Sequence, residues 1–219
     1  MGHGLICLME IVKKFDFEMA HIVRNAWSRR CSHSIHGHTY TAEIHLTRND
    51  DKKQICDAGQ MVVDFGLVKK YIGPFIDSFD HATMLWNREC DDNIIDLFTN
   101  EFERVIVVNE SSSCEMMSMI FLVSINKIFN RLRTIDIPDT PEGYFDNVIC
   151  TQVTLHETKS GRAECRYDEH TWSWLESLDQ PIETTISQIA FSAGIVEEWD
   201  EYFVDLWNSV VDYCSEYHK

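Results

Sequence analysis

The sequence contains no apolar run approaching the roughly 20 residues that a bilayer-spanning helix needs, so no transmembrane segment and no membrane partner are expected. Its first residues, MGHGLICLMEIVKK, lack the long apolar core of a secretory signal peptide. These two absences predict a soluble, cytoplasmic protein. Positive charge is also scarce: 19 Lys and Arg stand against 36 Asp and Glu, a formal net charge of −17. A general basic surface of the kind that neutralises nucleic-acid phosphates is therefore not expected. Eight cysteines are present, yet they form no CxxC pair and no small-domain disulfide framework. They read as reduced thiols, mostly buried as small hydrophobes. What remains is 219 residues, 44% hydrophobic and 25% charged, enough for one core or for one domain with an appendage.

The acidity is uneven. Residues 168–219 hold 12 Asp and Glu against one Lys, whereas residues 1–167 hold 24 against 18 Lys and Arg. This predicts a domain over 1–167 and an acidic helical extension over 168–219. Within the first part, Phe15, Phe17, Met19 and His21 alternate with Asp16 and Glu18, the period of a half-buried strand, here spanning about 5–22. A basic stretch from Arg24 to Arg30 leads to a second strand over about 37–48, carrying Tyr40, Ala42, Ile44 and Leu46 on one face. After a polar turn from Asn49 to Lys53, a third strand is expected to end at Gln60 to Val63.

Asp64 is a good N-cap for a helix over 65–78, in which Phe65, Val68, Ile72 and Ile76 recur at helical spacing and Pro74 predicts a kink or a restart near Gly73. A loop follows through Phe79 to Leu85, then a short acidic segment with Ile94, Ile95 and Leu97, then a strand from Arg104 to Val108. Ser112 and Glu115 have the S-x-x-E form of a capping box and predict a helix over about 113–132. A turn-rich insertion over 137–147 leads to a final strand pair in which Val153, Leu155 and Glu157 share a face. A carboxylate at the end of an apolar row needs a partner or a ligand. Segregated helices and an antiparallel sheet make this an α+β domain. Beyond Tyr167, helices are expected over 182–191 and 195–217; Trp199, Phe203, Leu206, Val210 and Cys214 form an apolar stripe that suits a packed appendage, with an interaction helix as the alternative.

His36-Gly37-His38 opens the second strand, so its two imidazoles project to the same side. If that strand pairs with the one ending at His21, three imidazoles meet at one end of the sheet. Three neutral nitrogens with an open fourth position describe a catalytic zinc site. The same spacing also arises when His36 and His38 are solvent-exposed and His21 is a hydrogen-bonded core histidine.

Six motifs follow one another in the order found in the 6-pyruvoyl-tetrahydropterin synthase and 6-carboxy-tetrahydropterin synthase family, which residues 5–167 resemble. They are Phe17 to His21 as F-x-x-A-H, Cys31 followed by His36-Gly37-His38-Thr39-Tyr40, Met61-Val62-Val63-Asp64-Phe65-Gly66, Phe79-Asp80-His81, Ser113-Cys114-Glu115, and His156-Glu157-Thr158. The resemblance implies a T-fold: an antiparallel four-stranded sheet with two helices on one face, oligomerising into a barrel, usually a hexamer built from two trimers with active sites between subunits. It implies Zn2+ at His21, His36 and His38. It implies 7,8-dihydroneopterin triphosphate as substrate, its pterin ring held by Glu157 with further contacts from Thr158, Ser113 and Cys114. Cys31, Asp80 and His81 match the catalytic positions, the cysteine as base and the Asp–His pair as a proton relay. Glu115 reads first as the helix cap, with a ring contact as the alternative.

The resemblance thus implies a zinc-dependent carbon–oxygen lyase of the 6-carboxy-tetrahydropterin synthase type, serving queuosine and deazapurine biosynthesis. A 6-pyruvoyl-tetrahydropterin synthase of the tetrahydrobiopterin pathway is the alternative enzyme, and a non-catalytic pterin-binding homologue the alternative of another class. Four residues separate Cys31 from His36, where the carboxy branch typically has three and the pyruvoyl branch five, so spacing leaves the branch open. The extension after Tyr167 has no counterpart in compact members of the family.

Overall fold

Alternation of apolar and polar residues produces the two long strands from which the rest of the molecule is built. A computed structural model describes residues 9–48, 60–88, 91–168 and 186–216. In it, β1 (Ile11–His21) and β2 (His36–Arg48) pair antiparallel, with Phe17 opposite Tyr40 and His21 opposite His36. Tyr40, Ala42, Ile44 and Leu46 are fully buried, whereas Lys14, Asp16, Glu18 and Thr39 face solvent on the other side. A short helix, α1 (Arg29–Ser32), interrupts the connection between the strands. On the far side of β2 lie β5 (Val148–His156) and then β6 (Arg162–Arg166), both antiparallel to their neighbours. The four-stranded antiparallel core is thus β6-β5-β2-β1.

The sheet continues beyond it. β3 (Ala82–Trp86) adds parallel to β1 through Met19–His21, β4 (Val105–Val108) adds parallel to β3, and β7 (Ala190–Phe191) closes the row antiparallel to β4. The result is an open, mixed sheet of seven strands rather than an antiparallel one of four. β3 occupies the stretch expected to be a loop: three of its five residues, Ala82, Met84 and Leu85, are buried without strict alternation, the signature of an interior parallel strand. Residues 60–63, expected to end a strand, form a bend. Val62 and Val63 are buried there, but the Val62 carbonyl accepts from Arg48 Nε at 2.9 Å instead of joining a ladder.

One face of the sheet carries α2 (Phe65–Asp77) and α4 (Cys114–Leu132). Asp64 caps α2 by accepting from the Gly66 N–H, and Pro74 lies inside the helix. Phe75, Phe79 and Phe121 pack there with ring centroids 4.7–5.5 Å apart, and Phe17 joins them from β1. The acidic segment forms α3 (Asp92–Glu101), capped by Asp91. The cap of α4 is Ser113, not Ser112, whose hydroxyl is engaged with the Ile22 carbonyl at 2.7 Å.

The C-terminal residues share this core. The stretch expected as one helix over 195–217 is divided into α5 (Ala193–Val196) and α6 (Glu201–Glu216), with Asp200 accepting from the Phe203 N–H where α6 starts. Phe203, Leu206, Trp207, Val210 and Cys214 bury their side chains in the same hydrophobic cluster as α2 and α4. Trp207 stacks on Phe75 at 5.3 Å with 22° between ring planes. Of the helix expected over 182–191, residues 182–185 lie outside the described residues, and Ala190–Phe191 is strand β7, because its backbone completes the edge of β4. No helix among the described residues is long and apolar enough to cross a membrane.

Candidate metal centre and adjoining cavity

His21 ends β1 and His36 begins β2 directly opposite, while His38 lies two residues on and therefore on the same face. The three ring centroids stand 4.6, 5.3 and 5.1 Å apart, and one ligand atom from each histidine lies within 4.8 Å of the others. Gly37 permits this approach: a Cβ there would sit 3.2 Å from the Met19 carbonyl oxygen across the strand pair.

Outer hydrogen bonds orient two of the rings. His21 Nδ1 lies 2.7 Å from the Ser112 carbonyl and His36 Nδ1 lies 3.1 Å from the Ser34 carbonyl. Donation from Nδ1 fixes the tautomer and leaves Nε2 with its lone pair toward the cluster. Burial is the main cause that holds the His21 imidazole below its ordinary pKa; the Ser112 carbonyl opposes the shift, and His36 reinforces it. A neutral imidazole is the form that binds metal. The donor set therefore fits a divalent ion such as zinc.

Glu157 stands just past the end of β5, beyond the buried Val153 and Leu155. Its Oε1 accepts from Tyr40 Oη–H at 3.2 Å and lies 3.6 Å from His21 Nε2 and 4.0 Å from His38 Nε2. Burial, and next the Glu157 carboxylate, push the Tyr40 phenol upward, so it remains a donor. The same two causes push the Cys114 thiol up to about 12, and Cys114 Sγ–H donates to the Leu155 carbonyl.

A cavity of about 470 Å³ joins the three histidines to Cys31, Ser113, Cys114, Glu157 and Thr158. Eight of the ten site residues expected from the sequence thus line one space. Glu115, read from the sequence first as a cap, also lines it, as do Gly161 of the β5–β6 turn and Arg162 at the start of β6. That turn is shaped by Thr158, whose hydroxyl accepts from the Gly161 N–H at 2.9 Å. A polar residue followed three positions later by glycine was the available sequence signal.

Asp80 and His81 lie elsewhere. They form the pair expected of them, with His81 Nδ1 2.9 Å from Asp80 Oδ2, but they do not line the cavity of the histidine cluster. His81 instead borders a second hollow of about 320 Å³ together with Glu18, His38 and Thr39. Its backbone is left-handed, φ 55°, and its side chain is 74% exposed. Such a conformation costs a non-glycine residue about 1–2 kcal/mol and persists where neighbours over-determine it. Here β1 does so: Asp80 Oδ1 accepts from the Glu18 N–H at 2.7 Å, and the His81 N–H donates to the Glu18 carbonyl at 2.6 Å.

A family model described as 6-pyruvoyl tetrahydropterin synthase matches residues 10–168. The 6-carboxy-5,6,7,8-tetrahydropterin synthase of Helicobacter pylori strain J99 is 30% identical over 196 residues, covering 88% of each chain. That of strain 26695 is 29% identical over 206 residues, covering 93% of this chain and 92% of its own. A match covering 93% of the chain cannot stop at residue 168, so this relative aligns with part of the C-terminal segment as well. An uncharacterized protein from Wolinella succinogenes is similar in fold, with a TM-score of 0.50 at 19% identity, covering 74% of this chain and 99% of its own.

Proposed function

The chain belongs to the 6-pyruvoyl tetrahydropterin synthase family, and from that premise we propose that it is a zinc-dependent carbon–oxygen lyase of the 6-carboxy-5,6,7,8-tetrahydropterin synthase type. Its substrate in this reading is 7,8-dihydroneopterin triphosphate, and its product feeds queuosine-type deazapurine biosynthesis in the cytoplasm. The two Helicobacter pylori relatives, which bear that activity in their names along most of both chains, support the branch. The observation that carries the reading is the convergence of three imidazoles and the Glu157 carboxylate on one cavity.

Each group then has a task suited to its chemistry. Glu157 accepts two parallel N–H bonds from the 2-amino and N3 edge of the pterin, and Tyr40 holds the carboxylate for them. Thr158 and the backbone at Ser113 and Cys114, at the start of α4, border the ring. His21, His36 and His38 would hold zinc, which when bound supplies Lewis acidity to the adjacent hydroxyls of the substrate side chain. Cys31, at the cavity wall, takes a proton from the neighbouring carbon. His81, oriented by Asp80, exchanges protons with the intermediate.

The separation of Cys31 from Asp80 and His81 supports a site shared between copies, in which the exposed His81 of one subunit serves the cavity of the next. Two free sheet edges support the barrel: among the described residues, β6 has no partner beyond β5, and residues 11–17 of β1 have none beyond β2. A hexamer formed as a dimer of trimers would satisfy both. The test is product analysis with 7,8-dihydroneopterin triphosphate. Release of acetaldehyde is expected; a pyruvoyl product without carbon–carbon cleavage would reject the carboxy branch.

A further inference from the structure

The C-terminal segment contacts Ser78 and Phe79, just before Asp80 and His81, and reaches Asp80 through Arg104. Arg104, immediately before β4, is the link. Its Nε donates to the Asp80 carbonyl and its Nη2 to the Asp77 carbonyl, each at 2.7 Å, while its Nη1 pairs with Glu198, which lies between α5 and α6. Next to Glu198, Trp199 Nε1–H donates to Ser78 Oγ at 2.9 Å. Phe191 of β7 packs edge-on against Phe79, with centroids 6.1 Å apart at 89°. Ser192 secures the same region, its hydroxyl accepting from the Val105 N–H at 3.0 Å. Residues 77–80 are thereby held by Glu18 of β1 and by Arg104, Trp199 and Phe191.

A planar guanidinium presents its donors at fixed angles, so two carbonyls and one carboxylate bound to a single fork share one geometry. Arg104 uses three of its nitrogens in this way, and its side chain is only 16% exposed. Glu198 is 56% exposed, so its pairing with Arg104 adds little stability. Glu198 instead holds one nitrogen of the fork whose Nε binds the Asp80 carbonyl, the carbonyl that precedes the left-handed His81.

We propose that Arg104 is a positioning residue for His81, and that the C-terminal segment, acting through Glu198 and Trp199, sets the geometry of the Asp80–His81 pair. The inference rests on the reading above in which His81 exchanges protons with the bound pterin. Proton transfer needs heavy atoms within about 2.6–3.2 Å, and a misplacement of about 1 Å can cost on the order of 100-fold.

The test uses the full-length, zinc-loaded protein with 7,8-dihydroneopterin triphosphate. Arg104→Lys, which keeps the charge and loses the fork, should lower kcat by roughly 10- to 100-fold, the loss that such a misplacement brings, with KM and zinc content unchanged. Glu198→Gln, at an exposed position where folding is not in question, should lower kcat several-fold in the same pattern, and Trp199→Phe should do likewise. His81→Ala is measured alongside. If His81→Ala abolishes turnover while Arg104→Lys and Glu198→Gln retain full kcat, the inference is overturned and the proposed function stands. If His81→Ala retains turnover, His81 has no proton role and the inference falls with that part of the reading. A parallel loss of zinc or rise in KM in Glu198→Gln would mean a general structural effect and would also overturn it. Should Arg104→Lys not fold, Glu198→Gln and Trp199→Phe decide by the same criteria.

Discussion

Replacing Tyr40 by phenylalanine isolates one contact between the histidine cluster and the carboxylate beside it. The hydroxyl is buried and donates to Glu157 Oε1 at 3.2 Å, with both His21 nitrogens at 3.5 Å. A hydrogen bond to a charged group is worth about 1.5–3 kcal/mol. Here the bond is long, and the Glu157 side chain is 28% exposed, so water can take the vacated place. The low end of the range applies, about 1.5 kcal/mol, or roughly tenfold in Kd. The ring itself stays in place, stacked on Phe17 at 5.1 Å and edge-on to His38 at 5.7 Å, so the fold and the imidazole cluster should be unaffected. Titrating the zinc-loaded Tyr40→Phe protein with 7,8-dihydroneopterin, followed by pterin fluorescence, should therefore show about tenfold weaker binding at unchanged zinc content. An unaltered Kd would refute the view that Tyr40 holds Glu157 for the pterin. Loss of zinc would show that the phenol supports the metal centre instead.

The His36→Ala, His38→Ala double variant should purify without stoichiometric zinc by elemental analysis, since it removes two of three converging donors; full retention would reject the ligand set. Because burial holds the His21 pKa below its ordinary value of 6.5, the unfolded metal-free protein binds more protons than the folded one as the pH falls past that value. Thermal stability of the metal-free protein should accordingly fall between pH 7 and pH 5, about the range in which an unshifted histidine titrates, and His21→Asn should flatten this dependence; an unchanged slope would count against a neutral buried His21. Trp207→Ala should destabilise the protein by about 3–5 kcal/mol in urea denaturation, because the indole stacks on Phe75 inside the shared core. A loss below about 1 kcal/mol, the range of ordinary surface substitutions, would mean that α6 is only loosely attached.

The histidine cluster was legible because two simple rules act together. Alternation placed His21 on the buried face of β1, and the two-residue spacing of His36 and His38 gave them a common side; only the register, His21 opposite His36, had to come from the fold. Ser112 shows the limit of motif reading. Its S-x-x-E spacing suits a cap, but its hydroxyl holds the Ile22 carbonyl and its own carbonyl holds His21, so the helix starts one residue later. The five residues of β3 carried too little alternation to separate a buried parallel strand from a loop. Likewise, β7 is two residues long and owes its conformation to the edge of β4, which no local pattern encodes. Motif order also says nothing about which side of a sheet a residue faces, and so Cys31 and the Asp80–His81 pair could not be told apart in space. Composition drew a boundary near residue 167, whereas apolar side chains from both sides of it fill one cluster.

That shared cluster bears on how the protein is made. Residues 186–214 leave the ribosome after the elements they pack on, yet they cover Phe75 and complete the ladder of β4. Until they emerge, the nascent chain holds an aromatic face and a bare strand edge in the open, the two features that most invite association with other chains. Synthesis through residue 168 therefore yields a histidine cluster whose strands can pair, on a body that cannot yet close. A pause or stop in translation soon after residue 168 would leave a metal-competent but aggregation-prone product.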